Sequence, residues 1–207
     1  MTFPRRRRRA VVLPSVLFGA LLAGCASTPS EPSGPASPQP SNTYQLVDEL
    51  CAALDPQPLI DLDGGTTATR EWPPRPDRPS RKCTLSVSQR DPVAGHVLTV
   101  TALLAESPEL AREAVPRQPK PQSLGTWYEL PQLGDGAWVW IMPVEKGMEV
   151  PDVDAPVAFR RAMVHVARGD AYVMLDLTSM GAKVPDDADT EALLVAYTEE
   201  TLTLMTA

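Results

Sequence analysis

Side chains able to carry nucleophilic or acid–base catalysis are few in this chain. His96 and His165 are the only two histidines, and both lie within alternating, strand-like patterns. A hydrolase triad needs a serine or cysteine beside a histidine that a carboxylate orients, and no G-x-S-x-G nucleophile elbow occurs. A zinc site needs about three convergent side-chain ligands. We therefore predict no catalytic residue, no metal site and no cofactor.

The first of three cysteines, Cys25, follows a segment with the character of an export signal. Arg5–Arg9 precede a mostly apolar run, Ala10–Leu22, and Ala23 and Gly24 lead directly into the cysteine. That run is too short to span a hydrocarbon core of about 30 Å as a helix, so residues 1–24 are predicted to be a signal peptide. The segment resembles bacterial lipoprotein signals, which implies that the Cys25 thiol accepts a diacylglyceryl group.

Lipidation of Cys25 would place the mature chain at the extracytoplasmic face of the cell membrane. Two or more acyl chains give a stable anchor, since each buried CH₂ contributes about 0.8 kcal/mol. The alternatives are an ordinary cysteine behind a leader that is cleaved elsewhere, or an uncleaved apolar anchor. The arginine run leaves both the general secretory and the twin-arginine export routes open.

Residues 25–43 are predicted to be a lipidated tether between the membrane and the folded domain. Five prolines stand among serines at intervals of two or three residues, with no periodic apolar pattern. Such a segment favours polyproline II, and at about 3.1 Å per residue it could hold the domain up to roughly 55 Å from the lipid. Glycosylation of its serines and threonines is the alternative to a plain spacer.

The remaining cysteines, Cys51 and Cys83, are predicted to form a disulfide. Cys51 lies on the apolar stripe of a predicted helix, Tyr44–Leu54, for which Asn42 and Gln45 are spaced like a capping box. Cys83 opens a run in which alternate residues are apolar, as in a half-buried strand. Because an oxidising compartment favours pairing of an even set, we expect a bridge between the two inward-facing thiols. Free buried thiols or a redox pair are the alternatives.

Residues 44–207 are predicted to be a single α+β domain, with an antiparallel sheet of about five strands packed against N- and C-terminal helices. Prolines exclude regular structure from Glu71–Arg81, and Ser107-Pro108 is typical of a helix start. A long amphipathic helix is expected to end the chain, over residues 189–205. The predicted strands are Cys83–Ser88, His96–Leu104, Gly136–Met142, Ala162–Ala167 and Ala171–Thr178.

Charge argues against a nucleic-acid partner. Removal of the leader's five arginines leaves 14 basic against 26 acidic residues, a net charge of −12. A phosphate-binding surface needs clustered Lys and Arg. Asp77 and several prolines interrupt the densest remaining basic stretch, which consists of Arg75, Arg78, Arg81 and Lys82.

Several of these features occur together in a known family. The chain resembles actinobacterial secreted lipoproteins of the uncharacterised domain family three-five-five-eight. The resemblance is carried by the lipobox cysteine, the proline-rich tether, Leu50-Cys51, Cys83-Thr84-Leu85 and Leu133-Gly134-Asp135-Gly136-Ala137, and it covers essentially the whole chain. It implies an envelope location and no established activity, so it supplies no catalytic residues.

A ligand- or protein-binding module displayed at the envelope is the function that these features favour. A structural adaptor of an envelope complex, and a cell-wall enzyme without a recognisable motif, are the alternatives. Trp138 and Trp140 are two residues apart and so point to one face of a strand. They could line a ligand groove or form core beneath a helix.

Overall fold

An eight-stranded antiparallel sheet with four helices organises the fold, as given by a computed structural model that describes residues 44–90, 93–116, 124–150 and 156–206. The described residues all fall within one compact unit, Pro40–Ala207. The strands are β1 (Thr66–Trp72), β2 (Ser80–Arg90), β3 (Val93–Leu104), β4 (Thr126–Glu129), β5 (Gly136–Ile141), β6 (Glu145–Met148), β7 (Val157–Arg168) and β8 (Ala171–Gly181). The helices are α1 (Leu50–Ala53), α2 (Gln57–Asp63), α3 (Pro108–Ala114) and α4 (Asp187–Met205).

The sheet has the strand order β1-β2-β3-β8-β7-β5-β4, and β6 also pairs with β7. The four longest strands lie side by side in its centre, with β8 returning to pair with β3 after the chain has made β4 to β7. Gly169 and Asp170 form the two-residue connection of the β7–β8 hairpin, where Gly169 takes a φ of 56°. Glycine suits this tight turn, because it adopts positive φ without steric cost.

The two faces of the sheet differ in what covers them. One face, which we call the core face, carries the buried alternate residues of the central strands, including Leu98, Val100, Val164 and Leu175. Helices α1 and α2 pack on it near β2 and β3, and α4 packs across β5, β7 and β8. The opposite face, which we call the outer face, is covered by α3 at β7 and β8.

Helices α3 and α4 are both capped at their N-termini by a side chain, and the α3 start at Ser107-Pro108 is the one that the sequence predicts. The Ser107 side chain accepts a hydrogen bond from the Leu110 N–H at 3.3 Å, and Pro108 occupies the first turn of α3. The Asp186 side chain accepts from the Asp189 N–H at 2.9 Å and so begins α4. These bonds satisfy backbone donors that have no partner within the helix.

The α+β class is confirmed, but the predicted count of about five strands is wrong. The five predicted strands correspond to β2, β3, β5, β7 and β8, and no end differs by more than five residues. The three additional strands, β1, β4 and β6, are short or almost fully exposed edge strands. Exposed edge strands lack the apolar alternation by which a half-buried strand is recognised.

The predicted first helix, Tyr44–Leu54, is also wrong in extent. Only the single turn of α1 is helical, and Tyr44 instead forms a β-bridge with Thr206. The Gln45 N–H donates to the Met205 carbonyl at 2.8 Å, so this segment follows the end of α4 as extended chain. Asn42, the other half of the predicted capping box, lies outside the described residues. Burial against α4 therefore outweighs the local helical pattern.

The proline-rich loop is shorter than the predicted 71–81. Glu71 and Trp72 complete β1, and Ser80 and Arg81 begin β2, so the connection spans residues 73–79. Four of those seven residues are Pro73, Pro74, Pro76 and Pro79. Since proline cannot donate a backbone hydrogen bond, the loop leaves the sheet where these residues begin.

Candidate functional site

The predicted disulfide between Cys51 and Cys83 is present, with the two Cα atoms 5.1 Å apart. It joins α1 to β2, on the core face, and Cys83 is fully buried. The Cys51 N–H also donates to a Glu71 carboxylate oxygen at 2.7 Å, which ties the same turn to β1. Sequence reasoning thus identified the bridge correctly, although the strand it reaches is the second rather than the first.

Cys51, Glu71 and Cys83 place three potential metal ligands within 4.8 Å of one another. Metal binding uses the thiolate form of cysteine. Because the two sulfur atoms are bonded to each other, the group offers no thiolate in this state. The arrangement is therefore a structural junction between α1, β1 and β2.

A serine, a histidine and an aspartate meet on the core face in a way that the sequence did not indicate. His96 Nδ1 lies 3.0 Å from Ser179 Oγ, and His96 Nε2 lies 2.9 Å from an Asp63 carboxylate oxygen. The register places His96 of β3 opposite Ser179 of β8. Asp63 is the last residue of α2. Only this long-range pairing brings the three together, so no local motif could reveal them.

This trio is suited to holding elements together rather than to hydrolysis. Ser179 and His96 are each only 1% exposed, so no substrate carbonyl could reach the serine hydroxyl. The ring nitrogens are also used in the opposite sense from a hydrolase, in which Nε2 faces the serine and Nδ1 the carboxylate. The bonds instead connect α2 to β3 and β8 and satisfy polar groups that would be costly to bury alone.

The outer face carries a chain of aromatic contacts at the β4–β5–β7–β8 end. Trp127 lies 6.1 Å from Trp140 and 6.3 Å from His165, and His165 lies 6.1 Å from Tyr172, all between ring centroids. Trp138 packs beneath α3 with Ala111, Val115 and Ala167. Of the two readings of the tryptophan pair, core under a helix is confirmed for Trp138, and neither tryptophan lines the grooves described below.

His165 makes the stability of the domain dependent on pH. Burial lowers the pKa of His165, and the nearby Asp176 carboxylate opposes this only in part. Burial also raises the pKa of Tyr172 to about 12, so at neutral pH its O–H can donate to His165 Nδ1 at 2.6 Å. The folded state therefore favours the neutral imidazole.

We expect the free energy of unfolding to fall as the pH drops below about 6.5, the ordinary histidine pKa. Below that pH the unfolded state binds a proton at His165 while the folded state does not, so acidification favours unfolding down to the lowered folded pKa. Urea denaturation at a series of pH values should show a smaller fall for His165→Gln than for the wild type. Identical pH slopes in the two proteins would contradict this assignment.

The proline-rich loop and β1 enclose a groove at the other end of the outer face. We call this cavity of about 600 Å³ the loop groove; its walls include Trp72, the loop residues Arg75 and Arg78, and Lys82. Leu103, Tyr172 and Met174 supply an apolar floor from β3 and β8. A volume of this size falls in the range of about 300–1,000 Å³ that is usual for small-ligand sites.

Trp72 is the fixed element of the loop groove. Its indole Nε1–H donates to Thr84 Oγ1 at 3.1 Å, and Lys82 stands directly opposite it in the β1–β2 register. The Arg70 guanidinium carbon and the Lys82 ammonium lie over the indole ring at 3.9 and 4.6 Å from its centroid. Cation–π contacts of this kind hold two positive side chains beside the groove without neutralising them.

The cations in and beside the loop groove have no carboxylate partner among the described residues. Within the described part of the chain, none of Arg70, Arg75, Arg78 and Lys82 forms an ion pair. Arg81, the fifth basic residue of this stretch, alternates to the core face and pairs with Asp48. The sequence shows Arg75, Arg78 and Lys82 as part of an interrupted basic run; the β1–β2 connection brings these three into one cavity with Trp72.

A second groove adjoins the first. We call this cavity of about 580 Å³ the helix groove; it lies between the proline-rich loop and α3 and shares Arg78, Leu103 and Tyr172 with the loop groove. Its remaining apolar walls are Leu104 and the α3 residues Leu110, Ala111 and Ala114, and its carboxylates are Asp77 and Glu106.

The lipidation residue Cys25, the signal peptide and the tether lie outside the described residues, so they remain predictions. None of the helices described is both long and apolar enough to cross a membrane. No family model matches the chain, and no curated protein or solved structure is significantly similar to it. The function must therefore be argued from the grooves themselves.

Proposed function

We propose that this protein is a lipid-anchored, extracytoplasmic binding module that takes its ligand in the loop groove. Cys25 carries the anchor, residues 26–43 form the tether, and the domain from Tyr44 onward presents the groove to the envelope. The proposal is supported by the predicted signal, by a bridge typical of oxidising compartments and by the groove's geometry.

One observation carries the proposal: cations that form no ion pair within the described residues line a groove of ligand size that also holds a fixed tryptophan. Elsewhere in the described residues, five arginines are ion-paired, and the cations without an ion pair, Arg90, Lys146 and Lys183, line neither groove. In the loop groove, by contrast, three cations without an ion pair line one cavity, and Lys82 and the neighbouring Arg70 lie over the Trp72 ring. A few convergent polar groups on a largely apolar wall are the usual composition of a binding site.

The anchor is tested by metabolic labelling with radioactive palmitate in a bacterial host that processes lipoproteins. We expect the full chain to be labelled and to fractionate with membranes, because two acyl chains anchor stably. The Cys25→Ser variant should not be labelled and should no longer fractionate with membranes. The matched controls Cys51→Ser and Cys83→Ser should keep the label, and unchanged labelling of Cys25→Ser would refute the anchor.

The binding site is tested by photo-crosslinking in cells with the full chain. A diazirine amino acid is placed at Leu103, which lines both grooves, or at Val97, which lies on the same face of β3 and lines neither. We expect a discrete small-molecule or lipid adduct at Leu103 only. Equal adducts at both positions, no adduct at Leu103, or a stoichiometric protein adduct would each contradict the proposal.

A further inference from the structure

The two grooves differ in charge along one continuous floor. Arg75, Arg78 and Lys82 line the loop groove, and none of its described lining residues is a carboxylate. Asp77 and Glu106 line the helix groove, in which Arg78 is the one cation among the described lining residues. An anionic group is therefore attracted to the loop groove and repelled from the far end of the helix groove. A ligand that occupies both must be oriented with its negative end toward Trp72.

The helix groove is suited to hydrocarbon. Leu110 of α3 is 46% exposed, whereas Ala111 of the same helix is fully buried. Together with Leu103 and Leu104 it forms an apolar wall that no described residue covers. Covering such a wall with hydrocarbon removes apolar surface from water at about 25 cal/mol per Å².

The cations of the loop groove are more than a carboxylate requires. Two guanidinium groups and one ammonium line the cavity, and Arg70 lies beside it over Trp72. A carboxylate brings one charge and two oxygens, whereas a phosphate ester brings one or two charges and two or three strong acceptor oxygens. Guanidinium groups match phosphate oxygens in bidentate fashion, and lysine adds a point charge.

From this arrangement we propose that the ligand is a phosphorylated amphiphile, with its phosphate in the loop groove and its hydrocarbon in the helix groove. The inference rests on the proposed binding function and adds the ligand's chemical class and orientation. A phospholipid headgroup and a soluble alkyl phosphate share this chemistry, so the test separates the two.

Binding is measured on the full chain in a non-ionic detergent by following the indole N–H resonances of the four tryptophans, with Trp72→Phe identifying the signal of Trp72. The probes are hexyl phosphate, inorganic phosphate, hexanoate and hexanol. We expect hexyl phosphate to shift the Trp72 signal and to bind at least about tenfold more tightly than any of the other three, a factor that corresponds to one added interaction of 1.4 kcal/mol.

A second comparison of probes shows whether the phosphate group belongs to a lipid or to a soluble phosphate ester. Tighter binding of dihexanoyl phosphatidylglycerol than of hexyl phosphate would assign the site to a lipid, and the reverse order would assign it to a soluble phosphate ester. Both orders support a phosphorylated amphiphile. Two equalities together would overturn the proposal: glycerophosphoglycerol, which has no acyl chains, binding as tightly as dihexanoyl phosphatidylglycerol, and inorganic phosphate binding as tightly as hexyl phosphate. The hydrocarbon tail would then contribute nothing to binding.

Variants separate the two ends of the ligand. The double change Arg78→Gln and Lys82→Gln should weaken hexyl phosphate binding at least about tenfold, while Arg90→Gln, on the same strand as Lys82 but outside both grooves, should change it by less than about twofold. Leu110→Ala should weaken hexyl phosphate and leave inorganic phosphate unchanged. None of these side chains forms an ion pair within the described residues, so we expect each variant to keep the thermal unfolding midpoint of the wild type. Measuring that midpoint checks that each variant is folded.

The experiments distinguish a wrong assignment of the ligand's chemical class from a wrong assignment of the binding function. If hexanoate or hexanol binds as tightly as hexyl phosphate and shifts Trp72, the phosphate assignment is wrong and the groove remains a binding site. If no probe shifts Trp72 and the crosslinker at Leu103 yields no adduct in cells, both proposals are wrong.

Discussion

Replacing Cys51 and Cys83 together by alanine is expected to lower the midpoint of thermal unfolding by about 10 °C. The bridge closes a loop with a sequence separation of 32 residues, which contains α2, β1 and the proline-rich loop. Restricting that loop in the unfolded chain contributes about 3.5 kcal/mol in the chain-entropy treatment. For a domain of this size, one kcal/mol shifts the midpoint by about 2–4 °C.

The wild-type chain treated with reductant is the control that isolates the crosslink. It keeps both sulfur atoms, so it fills the volume that alanine leaves empty at the fully buried Cys83. We expect its midpoint to lie between those of the oxidised wild type and the double variant. Coincidence of the oxidised and reduced midpoints would show that the bridge contributes no stability.

The disulfide also connects the fold to the candidate site. Cys83 is the neighbour of Lys82 on β2 and stands opposite Glu71 of β1, one residue before Trp72. The Cys51 N–H donates to the Glu71 carboxylate on the core face, the face opposite the loop groove. The bridge therefore fixes the β1–β2 pair on which the loop groove is built, and reducing it should weaken ligand binding as well as stability.

How much of the fold the sequence predicts depends on burial. The core strands were identified because alternate residues such as Leu85 and Val87, or Leu98 and Val100, are buried on one face only. The polar edge strand β1 gave no such signal, since six of its seven residues are exposed. The pairing of β1 with β2 therefore cannot be inferred from the composition of β1 alone; it is visible only in the assembled sheet.

The candidate site likewise contains one part that the sequence predicts, the disulfide, and one part that it does not, the loop groove. Cys51 and Cys83 could be paired from the sequence because each lies on an apolar face and no other partner remained. The loop groove cannot be predicted in this way, because the sequence places Trp72 in a loop, indicates no strand at Arg70, and shows Arg81 and Lys82 as neighbours in one basic run. Strand alternation sends Lys82 to the groove and Arg81 to the core face. This difference between Lys82 and Arg81 creates a groove only because β1 places Trp72 beside Lys82, and the sequence does not predict β1.

The second large effect is expected at Gly134, in the Leu133-Gly134-Asp135-Gly136 segment that precedes β5. A Cβ added at Gly134 would overlap the Ala167 carbonyl oxygen and lie 2.9 Å from Val166 Cγ1, both on β7. The Asp135 N–H donates to that same carbonyl at 2.8 Å, and the Asp135 carboxylate accepts from the Gly169 N–H at 2.7 Å. The backbone here is thus held against the β7–β8 hairpin.

Gly134→Ala should therefore lower the free energy of unfolding by about 3 kcal/mol, the upper part of the usual range for overpacking. Neither the β7 backbone nor the buried Val166 can move away without disturbing the central sheet. Gly136→Ala is the matched control, because a Cβ at Gly136 would meet nothing within 4 Å; it should change stability by less than about 0.5 kcal/mol. Urea denaturation of the two variants measures the difference, and equal destabilisation by both would show that close packing on β7 is not what requires glycine at residue 134.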